Sequence, residues 1–205
     1  KYPKVNFFSC DLTNETEQKI LFKKINKKFK SIDILINNAG LIYNSLIVSR
    51  SNLALKRHSY LHWKRVISSN LDSTFLTSVF TIENMIKNRS SGLIINISSI
   101  WGVVGKEKRV SYSSTKWGLI GLTKSTALDL APYNILVNAI APGLIKTRFH
   151  KEKAEKTSFE IKKRANLSRL KRIGEPSEIA AVIKHLISDD INYITGETIS
   201  VSGGD

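Results

Sequence analysis

The stretch from Leu93 to Ser98, LIINIS, decides the fold. It is a short, almost wholly apolar run that gives way to two serines, as a strand covered on both faces does where it leaves a sheet. Helical patterns flank it. Upstream, LHWKRVISSNLDSTFLTSVFTIENMIK (Leu61 to Lys87) reads as a long helix, and downstream SYSSTKWGLIGLTKSTALDLA (Ser111 to Ala131) reads as another. Further out come the apolar runs IDILIN (Ile32 to Asn37) and NILVNAIA (Asn134 to Ala141), a helix PSEIAAVIKHLIS from Pro176, and a closing strand ETISVSGG. The start reads as a short strand, VNFFSC (Val5 to Cys10), followed by the helical pattern ETEQKILFKKINKKF with Ile20, Leu21, Ile25 and Phe29 at near-helical spacing. Strands alternating with amphipathic helices predict right-handed β–α–β units and a parallel sheet covered on both sides. In such open sheets ligands bind beyond the carboxyl ends of the strands. Three polar signatures fall there: NNAG (Asn37 to Gly40), Ser98–Ser99 and PGLIKT (Pro142 to Thr147).

Bulk properties narrow the classes. With 205 residues, 41% hydrophobic and 8% aromatic, the chain suits one globular domain and not a disordered segment. The most apolar region, Gly92 to Gly105, is too short and too polar to span a bilayer. A single cysteine, Cys10, excludes an internal disulfide or a multi-cysteine metal site and suits a reducing compartment, so a cytoplasmic location is expected. Lys and Arg number 32 against 17 Asp and Glu, giving a net charge of +15 that favours acidic partners. The basic residues are spread along the chain, densest from Lys162 to Arg172, and lack the aromatic interleaving of a nucleic-acid surface. Neither nucleic acid nor membrane is an expected partner.

Within VSYSSTKWG (Val110 to Gly118), Tyr112 and Lys116 stand four apart, one helical turn, so phenol and ammonium share a face. An exposed helix pair would look the same. The chemical alternative is that the cation lowers the phenol's pKa from about 10 and makes Tyr112 a proton donor near neutrality. Ser99 could donate a hydrogen bond to the same substrate oxygen, or merely end its strand.

Taken in order, NNAG, Asn70, Ser99, Tyr112-x-x-x-Lys116, PGLIKT and YITGETISVSGG resemble the short-chain dehydrogenase/reductase family, nearest to its reductases of 3-oxoacyl groups on acyl carrier protein. The resemblance runs from Val5 to the end. It implies a Rossmann-like, doubly wound parallel sheet lacking the first two strands and first helix, residues 1–205 forming one such domain. It also implies NAD(P)H-dependent reduction of a ketone, with NADP(H) favoured over NAD(H), on a small-molecule or carrier-bound substrate. Asn70, Ser99, Tyr112 and Lys116 would be the catalytic set, Asn70 holding a water that relays protons to Lys116. Asp11 and Leu12 would meet the adenine, Asn38, Ala39 and Gly40 the adenosine ribose, Tyr112 and Lys116 the nicotinamide half, and Ile145 and Thr147 the carboxamide and a phosphate. Asp11 could equally cap the following helix, as could Thr13 or Asn14.

The Gly-rich phosphate turn that opens the family is not in this sequence, and neither is the residue that selects between the two cofactors. A fragment of a longer enzyme is the expected explanation, a decayed non-catalytic subunit the alternative. The loop before Asn70, with His58 and His62, is longer than in the reductases it resembles. Solvated histidines are expected there, and no metal site. Arg148 to Leu167 would form a substrate lid, and Lys87 and Arg89 would dock an acidic carrier. A homotetramer would bury Phe75, Val79, Leu119 and Leu122, unless these face the chain's own sheet.

Overall fold

The computed structural model describes residues 5–51, 54–89, 91–147 and 165–204. Among these residues four parallel strands form the sheet, in the order β1 (Ile34–Asn37), β4 (Gly92–Ile97), β5 (Ile135–Pro142), β6 (Thr198–Val201). Register pairs Ile34 with Leu93, Gly92 with Ile135 and Ala139 with Thr198. The crossovers carry α2 (Tyr60–Ile67) and α3 (Ser73–Lys87) between β1 and β4, α4 (Val110–Leu130) between β4 and β5, and α5 (Pro176–Leu186) between β5 and β6.

Both central strands are buried on both faces, as their unbroken apolar runs require. Alternate residues feed two cores. Ile94, Ile135 and Val137 pack with Met85 of α3 and Ala127 and Leu130 of α4. Leu93, Ile95 and Ile140 pack on the other side with Leu186, Ile179 and Val182 of α5. Pro176 opens α5 at a position where its missing N–H costs nothing, and Glu175 and Glu178 close a capping box around it. No helix among the described residues is long and apolar enough to cross a membrane.

Three local features differ from the sequence expectation. VNFFSC forms no strand: a strand exists only through a paired neighbour, residues 5–10 have none, and Phe7 is 90% exposed. Beyond this stretch, α1 (Glu15–Lys28) begins where expected and is capped by Asn14, whose side chain accepts the Glu17 N–H. The loop before α2 is not irregular throughout. It holds an antiparallel hairpin, β2 (Val48–Ser51) and β3 (Ala54–Arg57), separate from the main sheet. Finally, the expected single long helix contains a π segment, Ser68–Asp72, joining α2 to α3. Leu119 belongs to the core at 1% exposure, whereas Phe75 is 51% exposed, so the two do not share an outward face.

Candidate active site

The carboxyl ends of β1, β4 and β5 open into a cleft of about 530 Å³ lined by Asn38, Gly40, Ser99, Tyr112, Lys116 and Thr147, with Pro142, Gly143 and Ile145. The chain thus brings together the signatures after three different strands. A smaller neighbouring cleft is lined by Leu12, Asn38 and Ala39 together with Ser73, Thr74 and Thr77. Ile36 and Asn38 line both, so the two spaces adjoin at the end of β1. Asp11 lines neither; its Oδ1 accepts from the Thr13 backbone and hydroxyl in a local turn.

The two serines after β4 have separate tasks. Ser98 donates to the Lys116 carbonyl at 2.8 Å, fixing α4 to the strand end. Ser99 accepts the Trp101 N–H at 3.2 Å and makes a side-chain hydrogen bond with Tyr112. Lys116 Nζ donates to the Ile97 carbonyl at 2.7 Å and lies 5.7 Å from the centre of the Tyr112 ring. The phenol and the lysine are both buried.

Burial decides the electrostatics. Loss of water raises the Tyr112 pKa above its usual value, and the Ser99 hydrogen bond and the Arg109 charge offset this only in part. The expected acidification by Lys116 is therefore corrected: burial outweighs it, and the opposing cation is Arg109. The same burial lowers Lys116 to about 8, leaving it mostly charged at pH 7. Arg109 was not among the sequence candidates, although its place three residues before Tyr112, one turn back, was the available signal.

Asn70 is wholly buried in the π segment. Its Oδ1 accepts the Leu41 N–H at 2.8 Å, and its Nδ2 donates to the Leu41 carbonyl at 2.9 Å and to Thr115 Oγ1 at 3.1 Å. Both amide hydrogens are thus committed to protein, and Asn70 ties the NNAG loop to α4. Gly40 is where these parts meet: a Cβ there would stand 3.1 Å from Asn70 Oδ1 and 3.8 Å from Lys116 Nζ. Beneath the cleft, Asn37 donates to Asn96 and Ser78, and Asn96 donates to Thr123. The first asparagine of NNAG therefore braces strand to helices, a role the motif alone did not separate from that of Asn38.

Ile145 forms a bridge with Gly174, which holds the loop after β5 against the entry to α5. The expected lid lies outside the described residues from Arg148 to Arg164. Lys87 and Arg89 stand at the amino end of β4, across the sheet from the cleft, which removes the positional argument for docking there. His62 stacks on Tyr43 at 4.0 Å and His58 meets the same ring edge-on at 5.3 Å. Neither is a simple solvated histidine.

A family model described as "Enoyl-(Acyl carrier protein) reductase" matches residues 1–205. The chain is 41% identical over 201 residues to the 3-oxoacyl-[acyl-carrier-protein] reductase FabG of Aquifex aeolicus (strain VF5), covering 98% of this chain and 76% of the relative. Among solved structures, "ElxO with NADP Bound" superposes with a TM-score of 0.86 at 31% identity, over 97% of this chain and 77% of that one. "4-hydroxyisoleucine dehydrogenase complexed with NADH" gives 0.80 at 31%, over 95% and 78%. The chain belongs to the short-chain dehydrogenase/reductase family and is an NAD(P)-dependent oxidoreductase.

Proposed function

We propose that this short-chain dehydrogenase/reductase reduces the ketone of a 3-oxoacyl thioester carried on acyl carrier protein, with NADPH as the preferred reductant. The observation that carries the reading is that Ser99, Tyr112 and Lys116 line one cleft at the carboxyl ends of the strands. Residues 1–205 act as one Rossmann-like unit, and the working assembly is a homotetramer. The reductase from Aquifex aeolicus, similar along nearly the whole chain, supports the substrate, and the NADP-bound relative supports the cofactor.

The residues fit a nicotinamide cofactor on two counts. Lys116 spends one of its three N–H donors on Ile97, which leaves two for vicinal hydroxyls in the cleft. Gly40, free of a Cβ, keeps open the space beside Asn70 and Lys116. The cofactor, when bound, supplies the hydride. The chain's own work is at the oxygen. Ser99 donates a hydrogen bond to the carbonyl, polarising it, and Tyr112 O–H delivers the proton as the alkoxide forms. A phenol held above its ordinary pKa stays protonated throughout the neutral range, which keeps the donor loaded.

The test is ketone-dependent NADPH oxidation by the full chain with an acetoacetyl thioester of acyl carrier protein. Tyr112→Phe is expected to lower turnover by at least about 100-fold and Ser99→Ala by a similar factor. Unchanged turnover in Tyr112→Phe would overturn the reading. The relative bound to NADH bears the name of a 4-hydroxyisoleucine dehydrogenase, which motivates a second reading as a dehydrogenase of a small alcohol. Faster turnover of a free hydroxy acid with NAD than of the carrier-bound ketone with NADPH would favour it.

A further inference from the structure

Between Ser99 and Tyr112 the chain assembles three flat groups. The Arg109 guanidinium carbon lies 4.8 Å from the centre of the Trp101 ring, and the Trp101 ring meets that of Tyr112 edge-on at 6.3 Å and 74°. The backbone holds both Trp101 and Arg109. Trp101 N–H donates to Ser99 Oγ at 3.2 Å, and Gly102 N–H to the Ser99 carbonyl at 2.8 Å. Arg109 pairs with Ser45 in a parallel bridge, with Ser45 N–H donating to the Lys108 carbonyl at 3.0 Å. The Arg109 carbonyl in turn accepts the Ser113 N–H at 2.7 Å, in the first turn of α4.

Two cations thus flank the phenol along one helix face, Lys116 a turn after it and Arg109 a turn before it. They differ in chemistry. Lys116 is anchored to the Ile97 carbonyl. It also loses its charge as pH rises past about 8. A guanidinium stays charged throughout, is weakly hydrated, and lies flat on an indole as an ammonium does not. Arg109 is only half-exposed, so water screens its charge less than that of a surface arginine.

We propose that Arg109 is a positioning residue for Tyr112: its guanidinium, held over the Trp101 ring, sets the field at the phenolic hydroxyl, and Trp101 fixes its place. The proposal rests on the reading of Tyr112 as proton donor. Among the described residues, the charged side chains that bear on the phenol are Arg109 and Lys116, with the neutral Ser99 hydroxyl beside them. Arg109 favours the phenolate at every working pH. It limits how far burial can raise the phenol's resistance to losing its proton, and so keeps the donor from becoming too weak.

The experiment replaces Tyr112 with 3,5-difluorotyrosine in the full chain, bringing its ionisation into the neutral range, and follows the midpoint by fluorine NMR. Arg109→Gln is expected to move that midpoint up by roughly one pH unit. Arg109→Lys, which keeps the charge and loses the guanidinium over the indole, should move it less, and Trp101→Leu should also raise it. An unchanged midpoint in Arg109→Gln, with the fold intact by circular dichroism, overturns the proposal. If Arg109→Gln does not fold, the Arg109→Lys and Trp101→Leu midpoints decide in the same way. In the enzyme with natural Tyr112, the alkaline limb of the kcat profile should rise in step with the fluorine midpoint. A lower kcat without a displaced limb means a merely structural role and also overturns it. A displaced fluorine midpoint in a protein that reduces no ketone supports the coupling of Arg109 to the phenol while the reading of the function fails.

Discussion

Gly102 rests on the backbone of Lys116: a Cβ at Gly102 would stand 2.6 Å from the Lys116 carbonyl carbon and 2.7 Å from its oxygen. The turn after Ser99 is therefore seated on main chain, not on a side chain that could rotate away. That seat sets how far Ser99 stands from Tyr112. Gly102→Ala must push the turn off α4, at a cost of about 1–3 kcal/mol in urea unfolding. It should also lower kcat, because the hydroxyl pair moves apart. Full activity in a well-folded Gly102→Ala protein would show that the seat does not control the site.

Met85 provides the contrast. It is wholly buried between α3 and the sheet, far along its helix from the cleft. Met85→Ala should cost about 2–5 kcal/mol by the same unfolding measurement and leave kcat of the folded fraction unchanged. Comparing it with Gly102→Ala separates loss of stability from loss of alignment.

Asn70→Ala removes three hydrogen bonds at once and strands the Leu41 backbone groups. A loss of about 2–4 kcal/mol is expected, with faster amide exchange at Leu41. Protection at Leu41 equal to that of the parent would refute the tie.

Lys116 makes the fold less stable at neutral pH. Its folded pKa, about 8, lies below the unfolded value of about 10.4, so the unfolded chain binds the extra proton between them. The penalty is full below pH 8 and fades as pH climbs towards that of a free lysine. Lys116→Met should accordingly melt higher than the parent at pH 7, and the gap should narrow on the way to pH 10. A gap that widens with pH would reverse the sign and refute the account.

What could be read from the chain and what could not divide along physical lines. β4 and β5 were plain because both faces are covered, so their apolar runs are unbroken. Tyr112 and Lys116 were plain because helical spacing alone puts them together. The hairpin β2–β3 was not: β3 is exposed at every position and carries no burial pattern. Residues 5–10 misled because β propensity describes a half-buried surface and says nothing of whether a partner is there. The direction of the Tyr112 shift was missed because spacing gives the neighbour but not the loss of water, and here that loss outweighs the neighbour.

The π segment carries a demand on chain length. Ser68–Asp72 accommodates a wider turn than an ordinary helix, and everything after it is set by that count. Adding one residue just beyond it would leave composition and hydrophobicity nearly untouched, yet swing the rest of the rod by about 100°. Met85 would leave the core, and Asn84 would abandon both the Ile32 N–H and Asn26. Apart from Asn70, the π segment should accept exchanges of one amino acid for another, but the rod beyond it no added residue.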